Sequence, residues 1–215
     1  MNQRQKSPAE IAAARAAIRD EFTRLGPGQI AAVITHLEMR TRPKLRPEAP
    51  GEKYELRHAP RPDLGWYREL YRRIGENWLW FSRLSLSDEA LTTLIHDPAI
   101  QVHALRSAGH DKGMLELDLR RFPDAEISFL GVTQDLIGTG AGRFLLNRAL
   151  EICWARSPRR VTVHTCTLDH PHALPFYLRT GFTPYARSIE IADDPRLHGL
   201  LPREAAPQMP LMDRE

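Results

Sequence analysis

Between residues 126 and 153 the apolar residues change from a short continuous run to helical spacing. Glu126 to Val132 reads as a strand, and Gly138-Thr139-Gly140-Ala141-Gly142 as a glycine-rich loop. Beyond it Leu145, Ala149 and Ile152, with Leu146, Leu150 and Cys153, make one wide stripe, and Arg143, Asn147 and Glu151 lie opposite. That spacing predicts a helix opening at the glycines. Downstream, the pattern predicts a strand over 161–167, a helix over 173–180 and a strand over 187–191. Upstream it predicts a short strand over 54–58 and a helix over 66–74 with Trp66, Leu70 and Ile74 on one face. A helix capped by Ser87 then runs to about His96, where Asp97-Pro98 stops it. Ile100–Arg106 and Met114–Arg120 read as a hairpin turning over Gly109–Gly113, and Phe122-Pro123-Asp124 leads into the strand 125–132.

The first 53 residues read as an N-terminal extension. Ser7-Pro8-Ala9-Glu10 is a capping-box start, and Ile11, Ile18, Phe22 and Leu25 continue at helical intervals to Gly26-Pro27-Gly28. A β-prone run from Ile30 to Leu37 follows, then a proline-rich stretch over 41–53 with linker composition. Met39 is a second candidate start. The domain proper is expected over 54–203, with a tail or last strand over 204–215. Antiparallel strands followed by a strand–helix–strand crossover give an α/β (α+β) fold: a mixed, mostly antiparallel sheet with helices on both faces.

Composition narrows the class. A chain of 215 residues holds one sizeable core, and 30 basic against 27 acidic residues give no strongly basic surface for nucleic acid. The two cysteines, Cys153 and Cys166, form no disulfide framework, and no apolar run approaches the length of a membrane span. A cytoplasmic protein with neither nucleic-acid nor membrane partners is the expectation.

Glycines at a helix start let the backbone approach an anion and offer it unpaired N–H groups, so residues 138–143 are a candidate phosphate-binding loop. A P-loop requires Gly-Lys-Ser/Thr, but Arg143-Phe144 follows Gly142. A dinucleotide fold expects G-x-G-x-x-G in its first strand–helix unit and an acidic residue at the end of the next strand. Here the spacing is G-x-G-x-G, late in the chain. Ile137-Gly138-Thr139-Gly140-Ala141-Gly142 instead resembles motif A (Q/R-x-x-G-x-G/A) of the GNAT superfamily of acetyl-CoA-dependent N-acetyltransferases. Ala173-Leu174-Pro175-Phe176-Tyr177-Leu178-Arg179-Thr180-Gly181-Phe182 resembles its motif B (A-x-x-x-Y-x-x-x-G-F). Both motifs fall in the family's order, flank the strand at 161–167, and extend the resemblance over roughly 54–192. Ile137 departs from the usual Gln or Arg, and His170 from the usual Asn.

The resemblance implies the fold, with a parallel strand pair splayed at the cofactor site, and acetyl-CoA as acyl donor without a metal. It implies donor contacts from Leu130, Gly131 and Val132, from 137–143 (Ile137, Gly138, Thr139, Gly140, Ala141, Gly142, Arg143), and from His170 and Ala173. Glu126 is then the expected general base for an amine that is mostly protonated at neutral pH, and Tyr177 the general acid for the departing thiolate. Trp78, Trp80 and Phe81, in helices over the acceptor, together with Glu116 and His164, are expected in the acceptor pocket. The acceptor itself is expected to be a small-molecule amine rather than a protein, and the resemblance leaves the oligomeric state open, with a homodimer among the arrangements it allows. His164, Cys166, His170 and His172 lack metal-site spacing. A non-catalytic acyl-CoA-binding module is the alternative reading.

Overall fold

The computed structural model describes residues 22–48 and 54–212. The helix expected from Ser7 therefore falls largely outside the described residues, and 22–26 are irregular. Seven strands form one sheet: β1 Gln29–Met39, β2 Glu55–His58, β3 Ile100–Ser107, β4 His110–Asp118, β5 Asp124–Val132, β6 Arg160–Cys166 and β7 Thr183–Asp193. Four α-helices accompany it: α1 Leu64–Gly75, α2 Asp88–Ile95, α3 Ala141–Trp154 and α4 Ala173–Thr180.

The sheet order is β2-β3-β4-β5-β6-β1-β7. Only β5 and β6 run parallel; every other neighbouring pair is antiparallel. β1 is thus an interior strand, and the reading of residues 1–53 as an appendage does not hold for Gln29–Met39. Its partners lie more than a hundred residues away, which local sequence pattern does not reveal. A chain starting at Met39 would lack the strand that joins β6 to β7.

Local chemistry fixes the elements. The Asp63 carboxylate caps α1 by accepting from the Trp66 N–H at 2.9 Å, and Ser87 caps α2 by accepting from Ala90 at 3.2 Å. The β3–β4 turn is shorter than expected: Ala108 and Gly109, both with positive φ (49° and 82°), reverse the chain by themselves. Gly113 therefore sits within β4, where an added Cβ would approach Leu105 to 2.9 Å. α4 ends at Gly181, whose φ of 103° a side chain rarely adopts.

Two cores flank the sheet. On one face α3 buries Leu145, Leu146, Ala149 and Leu150 against Leu115, Leu117, Ile127, Val161 and Val163. On the other, α1 and α2 bring Tyr67, Leu70, Tyr71, Leu91 and Ile95 onto Val102, Ala104 and Met114. The segment after β7 forms no strand among its described residues. Leu201, Ala205 and Ala206 are buried in the second core, and a buried Arg196–Asp194 pair (2.7 Å) fastens the segment.

Candidate active site

β5 and β6 pair only from Asp124↔Arg160 to Ile127↔Val163, and beyond that register they separate. On the other side of β5, Glu116 pairs with Phe129 and Leu117 with Ile127, so Ser128 is the extra residue of a bulge. The bulge and the lost pairing open a cleft of about 840 Å³ between the strand ends. At one end it is lined by Ile137, Gly138, Gly140, Gly142 and Arg143, with His170, Ala173 and Phe176 facing them; at the other lie Trp78, Trp80, Phe81, Arg83, Glu126 and His164. Leu130, Gly131, Val132 and Tyr177 line the stretch between.

The donor end is built from backbone. Gly138 and Gly140 have φ of 82° and 98°, and Gly140 is the N-cap of α3, so the first-turn N–H groups of the helix open toward the cleft. Two expected contacts are used elsewhere. The Thr139 hydroxyl donates to the Leu136 carbonyl at 2.8 Å and accepts from Tyr54, while Ala141 is wholly buried. Arg143 lines the cleft and donates to the Pro47 carbonyl at 2.8 Å. The Asn147 amide reaches the Arg46 carbonyl at 2.9 Å. These bonds fasten the proline-rich segment to α3 and bring Arg46, which the sequence did not single out, to the cleft wall. A polyphosphate ester therefore fits this end: helix N–H groups, close backbone approach and two arginines. His170 packs edge-on against Trp78, with ring centroids 4.9 Å apart, and burial lowers its pKa, so it faces the cleft as a neutral ring.

Glu126 and His164, on adjacent parallel strands, come together with Oε1 3.5 Å from Nδ1. The carboxylate beside it, the largest cause, raises the His164 pKa above its ordinary value. His36 stands directly opposite His164 on β1, and burial lowers its pKa. Tyr177 is 6% exposed and packs against Phe176 and Phe182. Burial holds its pKa well above the ordinary phenol value, so it stays protonated at any physiological pH. Both Phe176 and Tyr177 line the cleft. Cys166 lines it too, and burial pushes its thiol up to about 11, so it stays protonated and is a poor nucleophile.

Trp78, Trp80 and Phe81 all line the cleft, but from a 3-10 turn (Glu76–Trp78) and the loop after it rather than from α-helices. Trp80 occupies a slot that only glycines leave open. A Cβ on Gly75 would lie 2.3 Å from Trp80, and one on Gly131 would lie 2.5 Å from Ile74 and 2.9 Å from Trp80. The Trp80 indole N–H donates to Asp169 at 3.1 Å, whose other oxygen accepts from the Thr165 hydroxyl and the Cys166 N–H. Sequence reasoning missed Asp169, which sits in the β6–α4 loop without a motif. Glu116 does not serve as an acceptor-pocket wall. It is fully buried, and its carboxylate accepts from Tyr67 at 2.5 Å and from Arg83 at 2.7 Å. Its place on the strand next to β5 could not show that α1 covers it. Among the described residues no group of three or more His, Cys, Asp or Glu could hold a metal ion, and no helix is long and apolar enough to cross a membrane.

The sequence model of the Acetyltransferase (GNAT) domain matches residues 77–192. The chain belongs to the GNAT acetyltransferases. Over 117 residues this GNAT chain is 32% identical to the mycothiol acetyltransferase of Beutenbergia cavernae, covering 53% of this chain and 33% of that protein. It thus spans about a third of the length of that curated relative. A GNAT-family protein from Novosphingobium aromaticivorans superposes with a TM-score of 0.53 at 14% identity, over 86% of this chain and 80% of that one. An aminoglycoside acetyltransferase from an uncultured soil metagenomic sample does so with a TM-score of 0.50 at 21% identity, over 60% and 87%. These likenesses show the GNAT fold.

Proposed function

We propose that this GNAT domain transfers acetyl from acetyl-CoA to a primary amine by direct attack within a ternary complex. The observation that carries the reading is the Glu126–His164 pair in the same cleft as Tyr177 and the glycine loop. A primary amine titrates near 10, so it must lose a proton before it attacks. Glu126, with His164 beside it, receives that proton. Acetyl-CoA, as the acyl donor, would lie with its phosphates on the 138–143 loop and its thioester carbonyl near the main-chain amides of Leu130–Val132. Tyr177 holds the proton that the leaving thiolate takes up; burial raises the Tyr177 pKa, so the transfer requires that the thiolate be desolvated in the same cleft, which raises its proton affinity too. The high pKa of Cys166 favours direct attack over a covalent acyl-enzyme.

The acceptor is proposed to be a small molecule, in keeping with the mycothiol and aminoglycoside named for the two relatives. Titration calorimetry with acetyl-CoA, with NAD as control, tests the donor. Glu126→Gln and Tyr177→Phe test the chemistry: binding stays while turnover falls by about 10²–10⁴-fold. Ile137 gives the cleft an apolar wall where the family usually carries Gln or Arg, and this supports a second reading, a non-catalytic acyl-CoA-binding module. Tight acetyl-CoA binding, with no turnover and no effect of either substitution, would favour it.

A further inference from the structure

Coenzyme A carries its phosphate charge in two places, the pyrophosphate and the 3′-phosphate on its ribose. The glycine loop and the first turn of α3 present N–H groups to one of them. Three cations line the cleft around that end: Arg46, Arg143 and Arg179. Arg143 is partly engaged, donating to the Pro47 carbonyl at 2.8 Å. The guanidinium groups of Arg46 and Arg179 have no hydrogen bond or ion pair among the described residues.

Arg46 stands there because the backbone around it is fastened to α3. Its carbonyl accepts from the Asn147 amide at 2.9 Å, and the same amide donates at 3.2 Å to Glu48, which Arg148 also holds. Asn147 is 3% exposed, and this segment takes both of its N–H donors. Leu45, the preceding residue, packs onto the core. Backbone and neighbours are thus fixed, while the Arg46 side chain is half-buried and uncommitted on the cleft wall. An arginine held this way loses little chain freedom when it takes an anion, and its planar fork matches a phosphate.

We infer that Arg46 receives the 3′-phosphate of the donor, with Arg179 facing it from α4, so that the segment after β1 separates coenzyme A from its 3′-dephospho form. The inference rests on the acetyl-CoA reading and concerns a part of the donor that the glycine loop does not hold. Position supports it. Arg143 and Asn147 are one turn apart on α3, about 6 Å. The Arg46 backbone therefore lies a turn beyond the N–H groups that face the pyrophosphate. The 3′-phosphate is itself carried one ribose ring beyond the pyrophosphate, on the side away from the thioester. Across the cleft α4 follows the same course. A Cβ on Gly142 would lie 4.0 Å from Phe176, and Arg179 comes three residues later on the same helix face. A phosphate monoester carries about 1.5–2 negative charges at neutral pH, more than one arginine neutralises. Ile137 brings no charge to this end.

The test is titration calorimetry of the full chain with coenzyme A and with 3′-dephospho-coenzyme A. The wild type should bind coenzyme A about tenfold more tightly, the scale of one charged hydrogen bond. Arg46→Ala should remove most of that preference, weakening coenzyme A while leaving the Kd of the dephospho form unchanged. Arg46→Lys, which keeps the charge but not the fork, should fall between. Because the Arg46 guanidinium is unpaired in the fold, the urea midpoint of Arg46→Ala should match that of the wild type. Three results would overturn the inference and leave the acetyl-CoA reading standing: equal wild-type affinity for the two ligands, a preference that survives Arg46→Ala, or a loss in that variant that is the same for both. No binding of either ligand by the wild type would overturn both.

Discussion

His103 sets a measurable acid limit on the fold. It lies on β3, 6% exposed, stacked on His58 at a ring distance of 4.6 Å, and its Nδ1 is buried with no partner among the described residues. Burial, and after it the neighbouring His58, bring its pKa down to about 4 from 6.5. Because the folded value is depressed, neutral His103 contributes stability that is fully present above pH 6.5 and is lost as pH falls toward 4. At about 1.4 kcal/mol for each unit, the gap amounts to about 3 kcal/mol. For a chain of this size, that lowers the melting temperature by about 6–12 °C. Other groups titrate in this window, so the decisive quantity is the difference between wild type and His103→Gln, which cannot charge. Urea unfolding at steps from pH 7 to 4 should give a wild-type curve that falls more steeply than that of the variant, with the two converging near pH 4. Parallel curves, or a His103 NMR titration centred near 6.5, would refute the reasoning.

Further outcomes follow from the site. In the wild type, kcat/KM should rise with pH through the His164 pKa, which lies above 6.5. Glu126→Gln removes the main cause of that elevation, so the inflection should move to lower pH as the plateau falls; a pH–rate profile checks this. Gly131→Ala should push Trp80 and Ile74 apart, cost about 1–3 kcal/mol in urea unfolding, and weaken acetyl-CoA binding in calorimetry. Asn147→Ala releases the Arg46 carbonyl from α3 and leaves Glu48 held by Arg148 alone. It should raise the Kd of acetyl-CoA several-fold while lowering stability by about 1–3 kcal/mol, read by calorimetry and urea unfolding.

What could be read from the sequence was local. The helical spacing of Leu145, Leu146, Ala149 and Leu150, the cap at Ser87, and the glycine loop each depend on residues a few positions apart, and α3 begins where the glycines end. Glu126 and His164 could be named singly, but their contact depends on the parallel β5–β6 register. Glu116 was misplaced because a position on a strand does not show what covers it. Arg83 and Asp169 lie in loops, where no periodicity marks a residue, and only burial and hydrogen bonding reveal them. The place of β1 was hidden for the same reason: its neighbours in the sheet are the last strands of the chain.

That placement has a kinetic consequence. β7 borders the sheet only through β1, with Gln29 opposite Asp193 at one end and Glu38 opposite Thr183 at the other. Of the described strands β1 is made before all the others, and it must wait, unpaired, until β6 and β7 have been made before both its partners exist. Closing so long a loop is slow, and a waiting β-prone segment is exposed to pairing with other chains. In a pulse-labelling experiment β1 and β7 should acquire amide protection together and late, after the β3–β4 hairpin.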